Sequence, residues 1–140
     1  MSKVTIVVHS GDLDKIMSAL IIGNGYLSMG DSCTLFFTFW GLRALRKGKL
    51  KKSRLGLSRM NMAGLGAWMM KKKMKKANVA APYRLMEDFK ALGGIVLACE
   101  MTMGVMGISK RDLDHHLIDD YVGVGQFVKA SKESSNTLFI

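Results

Sequence analysis

Apolar residues fall along this chain in two kinds of block: short unbroken runs, and longer segments with apolar residues at helical spacing. The first run, Val4-Thr5-Ile6-Val7-Val8-His9, is rich in β-branched residues and predicts a buried strand. Ser10-Gly11-Asp12 follows as a turn, with Asp12 suited to cap a helix. Leu13, Ile16, Met17, Leu20 and Ile21 then recur at helical spacing, and Gly30 stands where a helix ends. Asp31-Ser32 turns the chain into a second strand, Cys33–Phe39, and Trp40–Arg46 predicts a short helix at its end. Lys47–Arg59 keeps no period and reads as a loop, and Met60–Gly66 as a link rich in glycine and methionine. Ala67–Lys76 predicts a helix with Trp68, Met69 and Met70 on it and a lysine-dense end.

Pro82 opens a further helix at a first-turn position, with Leu85, Met86, Phe89 and Leu92 as its apolar face. The glycine pair Gly93-Gly94 then leads through Ile95-Val96-Leu97-Ala98 to Cys99. A short apolar run bounded by glycine reads as a strand buried on both faces. Beyond it, Lys110–Leu113 predicts a helical turn, Tyr121–Val124 a fourth strand, Gln126–Lys132 a helix and Thr137–Ile140 a last strand. A helix-length connection between the first two strands implies parallel pairing and a right-handed crossover. The alternation predicts an α/β protein, a three-layer α/β/α sandwich on one mainly parallel sheet of about five strands. Residues 1–140 form one domain of this kind, with 47–76 as a basic, Met-rich insertion.

Charge sharpens that picture. The net charge of +10 is concentrated: of 21 Lys and Arg residues, 13 lie between Arg43 and Lys76, where no acid occurs. The rest of the chain is mildly acidic. An anionic membrane surface or a partner protein suits Lys71–Lys76 with Trp68, Met69 and Met70 beside it. Nucleic acid suits it less, because aromatic residues are not interleaved with the lysines. No apolar run reaches membrane-spanning length, and no signal-type segment opens the chain. The two cysteines make no disulfide framework and no Cys-x-x-Cys pair. The expectation is a reduced cytoplasmic protein, with peripheral attachment at the inner membrane surface as a variant.

Cys99 falls at the carboxyl end of a strand, where open α/β sheets carry their chemistry. A helix starting at Met101 would favour its thiolate, whereas the adjacent Glu100 would oppose it. His9 ends the first strand on the same side of the sheet and suits a bond to a thiolate or an anion. Gly104 and Gly107 would admit backbone N–H groups to an anion, and Met101, Met103 and Met106 would line a pocket. The expected sulfur or anion pocket is therefore His9, Gly11, Thr102 and Gly104 around Cys99. Cys33, at the other end of its strand, reads as core. His115 and His116 lie near Asp112, Asp114 and Asp119, but adjacent helical histidines project differently and the spacing matches no metal motif. Ser10-Gly11-Asp12 lacks the spacing of a phosphate loop, so neither cofactor nor metal is expected.

Three pieces of this chain carry a resemblance. Val7–Asp12, Phe36–Leu42 and, most specifically, Ala98-Cys99-Glu100-Met101-Thr102-Met103-Gly104-Val105-Met106-Gly107-Ile108 resemble the DsrE/DsrF-like sulfur-relay family, in its DsrE-like or peroxiredoxin-like branch. The resemblance implies a parallel α/β domain that forms homo- or hetero-oligomers. It also implies a persulfide or a thiosulfonate carried on the cysteine matching Cys99. That points to a carrier with sulfurtransferase-like exchange rather than a turnover enzyme, and to sulfur-donor and acceptor proteins as partners. No second cysteine follows shortly after Cys99, in contrast to some members of the branch, so resolving-cysteine chemistry is not implied. The alternative function is a basic docking module without thiol chemistry. A homo-oligomer, trimer or tetramer ahead of dimer, is expected to bury the apolar residues of Met60–Met74, with Trp68 at the contact.

Overall fold

A computed structural model describes every residue of the chain except Ser53. Five strands form one all-parallel sheet in the order β4-β3-β2-β1-β5, with β1 Lys3–Val8, β2 Ser32–Phe37, β3 Ile95–Cys99, β4 Asp120–Val122 and β5 Asn136–Phe139. The expected α/β/α layering on a parallel sheet is what the chain adopts. The helices are α1 Leu13–Ser28, α2 Phe39–Arg43, α3 Leu65–Lys76, α4 Pro82–Ala91, α5 Glu100–Met106 and α6 Val124–Glu133. Single 3₁₀ turns at Met62–Gly64 and Lys110–Asp112 complete the list. Among the described residues, no helix is long and apolar enough to cross a membrane.

The topology makes the two sheet faces unequal. Strands β1 to β4 follow one another in one direction, so their right-handed crossovers share one face; the return from β4 to β5 places α6 on the other. On the first face α1 and α4 pack together over Ile6, Val8, Leu35, Phe37, Val96 and Ala98. The second face has a smaller cluster, Val7, Phe36, Leu97, Cys99 and Val122, under Phe127 of α6, whose ring stacks on Phe36 at 5.0 Å. A helix of ten residues is about 15 Å long and cannot cover five strands. Phe139 is accordingly 72 % exposed.

Local chemistry accounts for the elements. The continuous apolar runs became the strands, and the glycine pair before β3 has two separate causes. Gly93 follows α4 at φ 90°, a left-handed value that favours glycine, and an added Cβ at Gly94 would lie 2.3 Å from the Phe89 ring. Phe89 and Met86 are fully buried, whereas Leu92, expected on the same face, is exposed because α4 ends before it. Ile21 is likewise exposed beyond the buried stripe Leu13, Ile16, Met17 and Leu20.

The basic segment is more firmly held than a solvated loop. Leu45, Leu50 and Leu55 are buried in the main core, Arg46 bridges to Leu113, and the Leu13 amide donates to the Gly56 carbonyl at 2.6 Å. The loop expected over Lys47–Arg59 includes Ser53, which lies outside the described residues. In α3 only Ala67 is buried. Trp68 is 53 % exposed, with Lys72 Nζ 4.3 Å above its ring.

Candidate functional site

The strand register brings chemistry-bearing residues to the carboxyl edge of the sheet. Val8, Phe37 and Ala98 form the last full row across β1, β2 and β3. One residue further, His9, Thr38 and Cys99 stand on neighbouring strand ends, and the Thr38 amide still donates to the Val8 carbonyl at 3.0 Å. Strands lie about 4.8 Å apart, so Thr38 is next to Cys99 whereas His9 is about 10 Å away.

Cys99 ends β3 and leads directly into α5. Its side chain is 1 % exposed, and burial by itself pushes a thiol pKa up. Hydrogen bonding outweighs that burial. Donors at Thr102 and Thr38 and the Met101 amide favour the thiolate and hold its pKa below the ordinary cysteine value. Glu100, in the first turn of α5, is exposed to solvent.

The two hydroxyls are shared. Thr38 Oγ1 and Thr102 Oγ1 lie 3.0 Å apart, and Thr102 Oγ1 also accepts the Phe39 amide at 2.9 Å. Each hydroxyl has one proton to donate. One therefore bonds the other hydroxyl, and the second is left for the sulfur. Both threonines are buried and fully engaged, as buried polar groups need to be.

Phe39 occupies an unusual conformation. Its φ is 45°, in the left-handed region that a bulky side chain rarely adopts, at a cost on the order of 1–3 kcal/mol. The bond to Thr102 and the seating of α2 hold it there. Gly41 and Gly11 make that seating close: a Cβ at Gly41 would lie 2.0 Å from the Val8 carbonyl oxygen, and one at Gly11 would lie 2.3 Å from that of Trp40. The strained start of α2 and the hydroxyl that serves Cys99 are thus one structural unit.

The structure divides the expected pocket. Thr102 stands beside Cys99 and helps hold its pKa down. His9 does not; its ring packs among Phe39, Trp40 and Phe139 at centroid distances of 5.3, 5.6 and 5.3 Å. His9 and Gly11 instead line a separate cavity with Trp40, Arg43, Lys49 and Arg54. Gly104 sits on the exposed side of α5 with nothing within 4 Å of an added Cβ, so no close backbone approach requires a glycine there. Gly107 serves to end α5, at φ 64°. Met103 and Met106 pack on the main core, and Met101 is exposed. Thr38 was not anticipated from the sequence; its only signal was its place one residue past an apolar run. His115 and His116 lie on a turn rather than a helix, which lets their rings approach to 4.6 Å. Among the described residues, no three metal-ligating side chains are placed to hold an ion.

Cys33, near the start of β2, has the opposite environment. It is 2 % exposed, beside Gly23 of α1, and burial pushes its thiol up to about 12.

Comparison with known proteins gives these features a lineage. The chain is 39% identical to the uncharacterized protein YrkE of Bacillus subtilis (strain 168), over 99% of this chain and 96% of that one. It is 27% identical to the sulfur carrier protein DsrE2 of Allochromatium vinosum, over 99% and 98%. Among solved structures, the fold is similar to MTH1491 from Methanobacterium thermoautotrophicum, a protein of unknown function, with a TM-score of 0.61 at 13% identity. It is also similar to ychN from E. coli, with 0.59 at 14%; both alignments cover all of each chain. The family model for DsrE/DsrF/DrsH-like proteins matches residues 1–54 and 48–139, nearly the whole chain, and this protein belongs to that family.

Proposed function

We propose that this protein is a sulfur carrier whose attachment point is Cys99. The observation that carries the reading is the place of Cys99, a buried thiol at the carboxyl end of β3 beside the Thr38–Thr102 hydroxyl pair and the first amides of α5, whose donors hold its pKa low. The relative named as a sulfur carrier supports it. Exchange of this kind needs a thiolate, room for one more sulfur and no acid–base pair.

Three loading steps balance. With a donor persulfide, the Cys99 thiolate attacks the outer sulfur, the donor S–S bond breaks, and the donor thiolate leaves. With thiosulfate, attack on the sulfane sulfur leaves a persulfide on Cys99 and releases sulfite. With tetrathionate, attack on an inner sulfur leaves a thiosulfonate on Cys99 and releases thiosulfate. Each step requires Cys99 to become accessible. A shift of α2 at Phe39 is the opening we infer, because the Phe39 amide is bonded to Thr102 beside Cys99 and the backbone strain is stored there.

Intact-mass spectrometry after incubation with thiosulfate, tetrathionate or polysulfide tests the reading. A single adduct on native protein is expected, and its absence with all three reagents would overturn the carrier function. The companion proposal is a homo-oligomer, trimer or tetramer ahead of dimer, with a second copy covering α3 at Trp68. Its support is the exposure of Trp68, Met69 and Met70 together on a helix that buries only Ala67 in its own subunit. Light scattering after size exclusion checks it: a monomer of the 15.4 kDa chain would end that proposal, and an assembly untouched by Trp68→Asp would move the contact elsewhere.

A further inference from the structure

A cavity of about 520 Å³ opens past the carboxyl end of β1, the strand at which the sheet order reverses. Such reversal points are where open α/β sheets hold ligands. Its wall joins three separate pieces of chain: His9 and Asp12 after β1, Trp40 and Arg43 on α2, and Lys49 and Arg54 of the basic segment. Cys99 does not line it.

The charges in this wall do not cancel. Asp12 is the one carboxylate among the described lining residues; it accepts the Ser10 hydroxyl at 3.0 Å and pairs with none of the cations. Lys49 Nζ reaches the Arg54 carbonyl at 3.4 Å, and neither guanidinium has an ion-pair partner among the described residues. Arg43, Lys49 and Arg54 thus set three cations against one anion, Asp12.

The fold holds them together. Leu50 and Leu55 are anchored in the core, and the Gly56 carbonyl takes the first amide of α1. Like charges held close repel one another until a counter-charge arrives. A doubly negative group matches the excess, and guanidinium forks suit tetrahedral oxyanions. The volume lies within the range of small-molecule pockets and exceeds what a bare ion fills. Trp40 supplies an apolar wall for the remainder of a ligand.

We propose that this cavity binds a ligand through a tetrahedral dianionic group, held by Arg43, Lys49 and Arg54. The group has two sources, a free oxyanion such as thiosulfate or phosphate, or the phosphoryl end of an organic phosphate. The site does not depend on the thiol.

In a Trp68→Phe background Trp40 is the remaining tryptophan, so its fluorescence reports on the cavity. Titration with sodium thiosulfate, sodium phosphate and glycerol 3-phosphate at constant ionic strength is expected to give a saturable change at millimolar concentration or below. Tightest binding of glycerol 3-phosphate assigns an organic phosphate, and tightest binding of either inorganic ion a free oxyanion. Arg43→Gln and Arg54→Gln should each weaken binding about tenfold or more. Lys52→Gln, which removes a cation outside this cavity, should leave it unchanged, as should Cys99→Ser. No saturable change with any of the three ligands would overturn the proposal. So would equal losses in Lys52→Gln and the arginine variants, or loss of binding in Cys99→Ser, which would place the anion at the thiol.

Discussion

Cys33 and Cys99 are the same residue, buried to the same degree at 2 % and 1 % exposure, and they are opposite in chemistry. Cys33 sits among apolar groups near the amino end of β2, where burial alone acts and pushes its thiol up to about 12. Cys99 sits at the carboxyl end of β3, where burial acts the same way but is outweighed by donors converging from Thr102, Thr38 and Met101. Burial therefore does not decide the chemistry of a thiol. What decides it is whether unspent donors point at the sulfur, and the carboxyl edge of a parallel sheet, with a helix beginning there, supplies them.

The largest expected effect separates the two cysteines outright. Cys99→Ser should abolish the sulfur adduct while leaving the fold intact, since serine is close in size and a far weaker nucleophile. An adduct that persists in intact-mass spectra with Cys33 as the remaining thiol would reverse the assignment.

Next in size is the pH dependence of alkylation. Because the Cys99 pKa is lowered, its thiolate persists below the pH at which an ordinary cysteine loses reactivity. Cys33 should stay unmodified until the protein unfolds. Thr102→Val removes the main donors' hydroxyl, so the Cys99 profile should move to higher pH. Its rate near neutrality should fall roughly tenfold, the worth of one hydrogen bond to a charged group. A profile that does not move would mean that the Thr38 hydroxyl and the helix amides suffice without Thr102 Oγ1.

Gly41→Ala tests whether the seating of α2 matters to one cysteine and not the other. The added methyl cannot fit 2.0 Å from the Val8 carbonyl oxygen, so α2 must shift, at a stability cost of about 1–3 kcal/mol. Chemical denaturation measures that cost. Cys99 alkylation should accelerate as the bond from the Phe39 amide to Thr102 is disturbed, with Cys33 unaffected; slower alkylation would argue against an opening at α2.

The smallest effect is expected for Cys33→Ala. Loading on Cys99 should be unchanged, and stability should fall by about 1 kcal/mol as for a small buried truncation. A change in loading rate would show that Cys33 reaches the site.

Much of the frame was legible along the chain. The apolar runs Val4–Val8 and Ile95–Ala98 read as strands because a parallel strand is buried on both faces, which leaves an unbroken hydrophobic signature. Leu13, Ile16, Met17 and Leu20 read as a helix face for the same local reason. The legible part thinned where burial has no period. Leu50 and Leu55 enter the core from the Lys47–Arg59 segment, whose lack of period predicted only a loop. Ile21 and Leu92 have the right spacing but lie beyond the edge of what α1 and α4 cover.

The sequence by itself determined the strand and helix alternation, the parallel sheet that follows from it, and the position of Cys99 at a strand's carboxyl end. Those are consequences of periodicity and connection length, which are local. Only the tertiary structure decided that Thr38 and Thr102, 64 residues apart, bond each other beside Cys99. It likewise moved His9 and Gly11 out of that shell and into a basic cavity with Arg43, Lys49 and Arg54. Hydrogen-bond donors act over about 3 Å, and strand register fixes which residues come that close. A register is a relation between segments, and the pattern within any one segment does not contain it.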